Sequence, residues 1–186
     1  MTIASKHLMA SELEAGLEEI RRSPKDNGVL EMIVRRPQVG ERELLQEGQL
    51  DPAEGLVGDS WKLRNPGRTP NPDVQLTVMN ARVAALVSQD KSRWQLAGDQ
   101  LYIDLDLSED NLPAGTQLAI GSAVIEISAA PHTGCAKFAE RFGLDAMKFV
   151  NEGPQKVMHL RGINCRVIRA GSIRVGDTAQ KLPGAS

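Results

Sequence analysis

Cysteine, histidine and aromatic residues are scarce in this chain. Of its 186 residues two are cysteine and three histidine, and aromatics make up 3%. Two cysteines cannot build the disulfide framework of a small secreted domain. There is no CxxC, no HExxH and no Cys/His cluster at zinc spacing, so zinc is not an expected cofactor. The absence of GxxxxGK[ST] argues against a P-loop nucleotide site. No run approaches the roughly 20 apolar residues of a membrane span. The opening MTIASKHLMASELE has no continuous apolar core and does not read as a secretory signal, so a cytoplasmic protein away from membranes is expected. Excess charge is also missing. A net charge of −2 and a pI near 6.0 give no broad attraction for nucleic acid, although a local basic pocket is compatible with them.

What is present is ordinary for a globular domain: 41% hydrophobic and 25% charged residues, enough chain for a substantial core. Residues 11–23 read as a helix. Ser11 and Glu14 fit a capping box, Leu13, Leu17 and Ile20 share a face, and Pro24 ends it. Residues 1–27 are therefore expected to form a helical extension packed outside a main body at 28–186. From residue 28 the apolar period becomes two. It runs through Leu30, Met32 and Val34, then Val74, Leu76 and Val78. It continues through Leu101, Ile103, Leu105 and Leu107, with Tyr102 on the opposite face. Ala123, Ile125 and Ile127 repeat it, as do Ile163, Cys165 and Val167, and a short piece carries Ile173 and Val175. Many short strands with Gly and Pro punctuation predict a sandwich or barrel, interrupted by helices near Ala81–Val87 and after Pro131. Residues 48–73, rich in Pro and Gly, read as one long connection.

The scarce residues gather in PHTGCAKFAERFG, positions 131–143, which holds Cys135, His132, Phe138 and Phe142. Gly134 allows a turn, Cys135 starts a helix, Phe138 and Phe142 share one face, and Lys137 and Arg141 share another. A helix N-terminus exposes unpaired N–H groups, which favour a thiolate. His132, Lys137 and Arg141 would add to that if close. The plainer readings are a buried, inert Cys135, a His132 bonded to backbone and a solvated Lys137/Arg141 face. Cys165 sits among apolar strand residues and reads as inert. His159 and His7 carry no expected role. A cysteine hydrolase is a weak reading, because no carboxylate is evident to orient His132.

These same residues carry a family resemblance. PHTGCAKF, RFG and RGINCRVIRAGSIRVGD resemble the MOSC domain, named from the C-terminal domain of molybdenum cofactor sulfurases. IVRRPQVGER, EGLVGD and LDLSEDNLPAGTQLAIG follow its order from Gly28 to Asp177. The resemblance implies a mainly β fold, a closed barrel of the pyruvate kinase β-barrel type with several short helices. It implies molybdenum cofactor binding or sulfur transfer. Cys135 matches the cysteine that carries a persulfide in some members and ligates molybdenum in others. Thr133, Gly134 and Lys137 match its segment, Asn111 the Glu–Asn segment and Asp59 the GD segment. A family-level association with pyridoxal phosphate comes with the resemblance and with no residue of its own. The histidine and paired glycines that follow GD in many members are replaced by SWKLRNPGRTPNPD, where Arg64 and Arg68 are the nearest cations.

A cofactor ending in a phosphate needs cationic donors, for which Lys137, Arg141, Arg161 and Arg166 are candidates. Arg166 is preferred to Arg161, because it alternates away from Cys165 and Val167. Asn111 and Asn164 are candidates for the pterin edge. The implied partners are a sulfur donor such as a cysteine desulfurase or, for a reductase of N-hydroxylated compounds, an electron-transfer reductase, since the chain has no ferredoxin-like cysteine set. A binding module without chemistry is the remaining alternative.

Overall fold

The structure, a computed structural model, describes residues 6–184. These residues form eleven strands: β1 (Gly28–Arg35), β2 (Glu43–Leu45), β3 (Glu47–Asp51), β4 (Gly55–Leu56), β5 (Leu76–Asn80), β6 (Leu101–Asp104), β7 (Gln117–Ile120), β8 (Ala123–Ile127), β9 (Ile163–Arg169), β10 (Gly171–Arg174) and β11 (Thr178–Lys181). The main sheet runs β11-β7-β8-β9-β5-β6-β1, and pairing of Gly28 with Ala179 closes it into a seven-stranded barrel. Strand β2 pairs with the end of β1 at Ile33–Arg35, and its Leu45 packs against the barrel core. The small sheet β10-β3-β4 covers the barrel, with Leu50, Leu56 and Ile173 buried in the barrel's core. Among the described residues five short α-helices join four 3-10 turns: α1 (Ala10–Ala15), α2 (Leu17–Arg21), α3 (Ala81–Ser88), α4 (Ala136–Phe142) and α5 (Leu144–Asn151).

Two cores explain the apolar pattern. One fills the barrel, built from residues such as Leu30, Ile33, Leu76, Ile103, Ile125 and Cys165. The other lies between the barrel wall and the helices and takes Leu13, Met32, Val34, Met79, Tyr102, Phe138 and Phe142. Each fully buried Leu, Ile or Phe contributes about 1.5–3 kcal/mol relative to exposure. Strand β1 serves both cores. A bulge between Leu30 and Met32 shifts its register, so Leu30 and Ile33 enter the barrel while Met32 and Val34 face the helices. The expected face Leu30–Met32–Val34 is thereby corrected. Tyr102, expected opposite the apolar residues, is indeed on the other wall but fully buried, and its hydroxyl donates to Trp94 O at 2.6 Å.

Other expectations change in detail. The first helix starts earlier than Ser11: Met9 N–H donates to Glu12 Oε2 at 2.8 Å, and Gly16 divides α1 from α2 where a Cβ would lie 2.6 Å from Leu86. These helices lie outside the barrel and join the second core through Leu13 and Ile20. Val74 lies in a 3-10 turn and is exposed, not on a strand. The segment 48–73 is not one loop, because it contains most of β3 and all of β4. No helix among the described residues is long and apolar enough to cross a membrane.

Candidate functional site

The loop after β8 is held from two sides before it reaches Cys135. Asn164 on β9 donates its amide to Ala130 O and Pro131 O, both at 3.1 Å. Asn151 at the end of α5 accepts from Gly134 N at 2.7 Å and donates to Gly134 O at 3.0 Å. Cys135 then caps α4 in an extended conformation, while Phe138 and Phe142 sink into the second core as their spacing predicts. The thiol is exposed, so the inert buried reading of Cys135 does not hold. Partial burial would raise its pKa. The N–H groups of Phe138 and Lys137 and the guanidinium of Arg161 outweigh that, and its pKa is lowered below the ordinary thiol value. Cys165 is the opposite case, fully buried and pushed far upward by desolvation.

Around Cys135 lies a basin of about 480 Å³ lined by Arg36, Arg42, Arg64, Lys137, Arg141 and Arg161. None of its lining residues is acidic. Two of the cations are held by buried carboxylates. Asp59 accepts from Arg36 Nε at 2.9 Å and NH2 at 2.7 Å, and from the backbone N–H of Arg36 and Trp61. Asp99 accepts from Arg161 NH1 at 2.6 Å and pairs with His132 Nε2 at 2.9 Å. Burial alone would raise the Asp99 pKa. The Arg161 charge and the His132 contact overcome this and bring it down to about 2. Arg42, Arg64, Lys137 and Arg141 have no carboxylate partner among the described residues. The Arg42 pKa is lowered by partial burial and then by the nearby charges of Arg141 and Arg36. The basin therefore concentrates positive charge in a chain that is slightly acidic overall.

The structure brings together Cys135, His132, Thr133, Lys137 and Arg141 as basin lining, with Gly134 fixing the loop between them. Asp59 stands behind the basin as the buried anchor of Arg36, not as a contact of its own. Two expected residues fall elsewhere. Asn111 donates to Asp106 O and Lys25 O and accepts from Lys181 Nζ, so it ties loops together away from the thiol. Arg166 pairs with Glu126 at 2.6 Å on the outer barrel wall. Its neighbours on β9 fill the interior, so alternation sends it to solvent, and Arg161 takes the place expected of it. Asn164 holds the loop instead of a ligand edge. Arg64 lines the basin, whereas Arg68 lines only an adjoining cleft. His132 is bonded to a carboxylate, not to backbone. Asp99, the orienting group that the sequence did not reveal, sits in AGDQ with no local signal. His132 makes no hydrogen bond to Cys135, so the pair required of a cysteine hydrolase is not assembled.

The MOSC domain model matches residues 75–180, which include Cys135, Asp99 and Arg161. No curated protein matches the chain in sequence. Among solved structures, YuaD from Bacillus subtilis is 15% identical with a TM-score of 0.58, over 83% of this chain and 95% of that one. YiiM from Escherichia coli is 20% identical with a TM-score of 0.55, over 85% of this chain and 71% of that one. Likeness at this identity shows a shared fold, and the family match spans more than half of the chain. With its closed barrel and its cysteine at the loop-to-helix junction, the chain belongs to the MOSC domain family.

Proposed function

We propose that the protein binds molybdenum cofactor in the basin beside Cys135. The observation that carries this reading is the exposed, low-pKa thiol surrounded by Arg42, Arg64, Lys137 and Arg141, cations without carboxylate partners among the described residues. The basin's 480 Å³ is in the range of small-molecule sites, roughly 300–1,000 Å³. The donor set fits the group. Its metal is soft enough to take a thiolate, which Cys135 offers, and its phosphate suits guanidinium and ammonium donors. No three His, Cys, Asp or Glu converge among the described residues. Metal would thus be held through the cofactor's own sulfur atoms with Cys135 as the protein ligand. When bound, the cofactor would supply a redox-active centre. The chain's own contribution is to favour the thiolate of Cys135, neutralise the phosphate and fix the loop through Asn151 and Asn164. An electron-transfer reductase is the partner this reading asks for.

A second reading is favoured by the exposure of the thiol itself. Cys135 as a thiolate would attack the outer sulfur of a persulfide on a donor such as a cysteine desulfurase. A new S–S bond forms at Cys135, the donor's S–S bond breaks, and the donor leaves as a thiolate, with no net oxidation. The residue needs no second cysteine for this step.

The test is to express the chain in a host that makes molybdenum cofactor and to measure molybdenum per protein by elemental mass spectrometry, alongside Cys135→Ser. Near-stoichiometric metal lost in the variant is expected. Cyanide-releasable sulfur from metal-free wild type, absent in Cys135→Ser, would move sulfur carriage to first place. Neither metal nor releasable sulfur would reject both readings.

A further inference from the structure

On the far side of the His132–Thr133 segment lies a second chamber of about 380 Å³, lined largely by apolar residues such as Leu112, Pro113, Ile127, Val150 and Val157. We propose that it binds a small uncharged organic molecule that presents N–H or O–H donors on an apolar body. The chamber shares His132, Thr133 and Arg161 with the thiol basin, so its occupant would lie next to the Cys135 site.

The two histidines in its wall define the polar half of that ligand. His132 Nε2 lies 2.9 Å from Asp99, whose carboxyl is held ionised by Arg161. An ionised carboxylate only accepts, so Nε2 carries the ring proton, and in the neutral ring Nδ1 is a bare acceptor. That nitrogen has no partner among the described residues and is not among the buried unpartnered atoms. His159 repeats the arrangement with the nitrogens exchanged. Its Nδ1 lies 2.9 Å from Leu107 O, a carbonyl that can only accept, which leaves Nε2 bare. His159 also sits at φ 50°, a left-handed conformation uncommon for a residue with a side chain, which the surrounding fold imposes. Two imidazoles are thus each tied by one nitrogen and open at the other, beside an apolar wall.

Charge argues for a neutral ligand. The lining cation Arg161 is matched by Asp99, and the exposed Glu109 and Lys156 oppose each other in sign. The thiol basin has no such balance. A carboxylate or phosphate would be drawn to the basin, whereas a neutral donor-bearing molecule gains from the two open acceptors. Binding in the chamber is read without metal or sulfur, so this inference stands apart from the chemistry proposed for Cys135.

The test uses the isotopically labelled full chain at pH 8, titrated with benzamide and separately with benzoate, followed by amide correlation spectra. Benzamide carries two N–H donors on the apolar ring that benzoate shares. Saturable shifts are expected at Gly162, Ile163, Ala129 and Ala130, with benzoate weaker there by at least about tenfold, since each lost hydrogen bond is worth about that much. His132→Ala and His159→Ala should each reduce that preference. Ala129→Phe, at an exposed lining position, should block benzamide while leaving the fold and the histidines in place. No saturable shift at these amides, equal binding of the two probes, or undiminished benzamide binding by Ala129→Phe would overturn the proposal.

Discussion

Replacing Asp99 by Asn isolates what the buried carboxylate does. The side chain is completely buried, and it holds Arg161, itself only 8% exposed, at 2.6 Å and His132 at 2.9 Å. Asn keeps the shape and removes the charge. Arg161 is then left as a buried cation, whose Nε already lacks a partner. Breaking a buried pair from one side costs about 3–5 kcal/mol. For a chain of this size that corresponds to a fall in Tm of roughly 10 °C. The pH dependence supplies an independent check with a defined sign. The Asp99 carboxyl is lowered from 3.8 to about 2, so its pairing stabilises the fold above pH 3.8 and is lost as pH falls through 2. That limb is worth about 2 kcal/mol in the wild type and should vanish in Asp99→Asn. Urea unfolding followed by circular dichroism between pH 7 and pH 2 reads both effects. The double variant Asp99→Leu/Arg161→Met, with no charge left to bury, should regain much of the lost stability. A single variant within about 1 kcal/mol of wild type, or one that keeps the acid limb, would refute the view that Asp99 anchors the site.

The thiols give a further check. Iodoacetamide should label one cysteine in the native protein and two in denaturant, and the rate at Cys135 should reach half its plateau below the ordinary thiol pKa. Equal labelling of Cys135 and Cys165 in the native state would count against the assignment. Arg166→Ala removes an exposed pair with Glu126 and should change stability by less than about 1 kcal/mol and leave Cys135 alkylation unchanged. Asn151→Ala removes both hydrogen bonds on Gly134. It should cost about 1–3 kcal/mol and alter the alkylation rate of Cys135, measured by mass spectrometry.

Much of the barrel was legible because a strand buried on at least one face repeats its apolar residues with period two. Leu101, Ile103, Leu105 and Leu107 all enter the barrel core as that period requires. The rule misled where a strand is covered on both faces. The bulge in β1 divides Leu30 and Ile33 from Met32 and Val34, and no local pattern distinguishes the two cores. Short strands such as β2 and β4 carry too few residues to show a period.

The site divides in the same way. The sequence by itself placed a cysteine at a turn-to-helix junction, with Phe138 and Phe142 buried beneath it and Lys137 and Arg141 alongside. These are relations within one or two helical turns, and backbone geometry decides them. Only the tertiary structure decided which distant charges meet there. Arg36 finds Asp59, and Arg161 finds Asp99, across 23 and 62 residues of chain. It also turned Arg166 to solvent and Asn111 to another loop. Buried charges must be paired to be tolerated, and the order of strands in the sheet decides the partner: β6 and β9 both flank β5, which brings Asp99 and Arg161, just ahead of them, side by side.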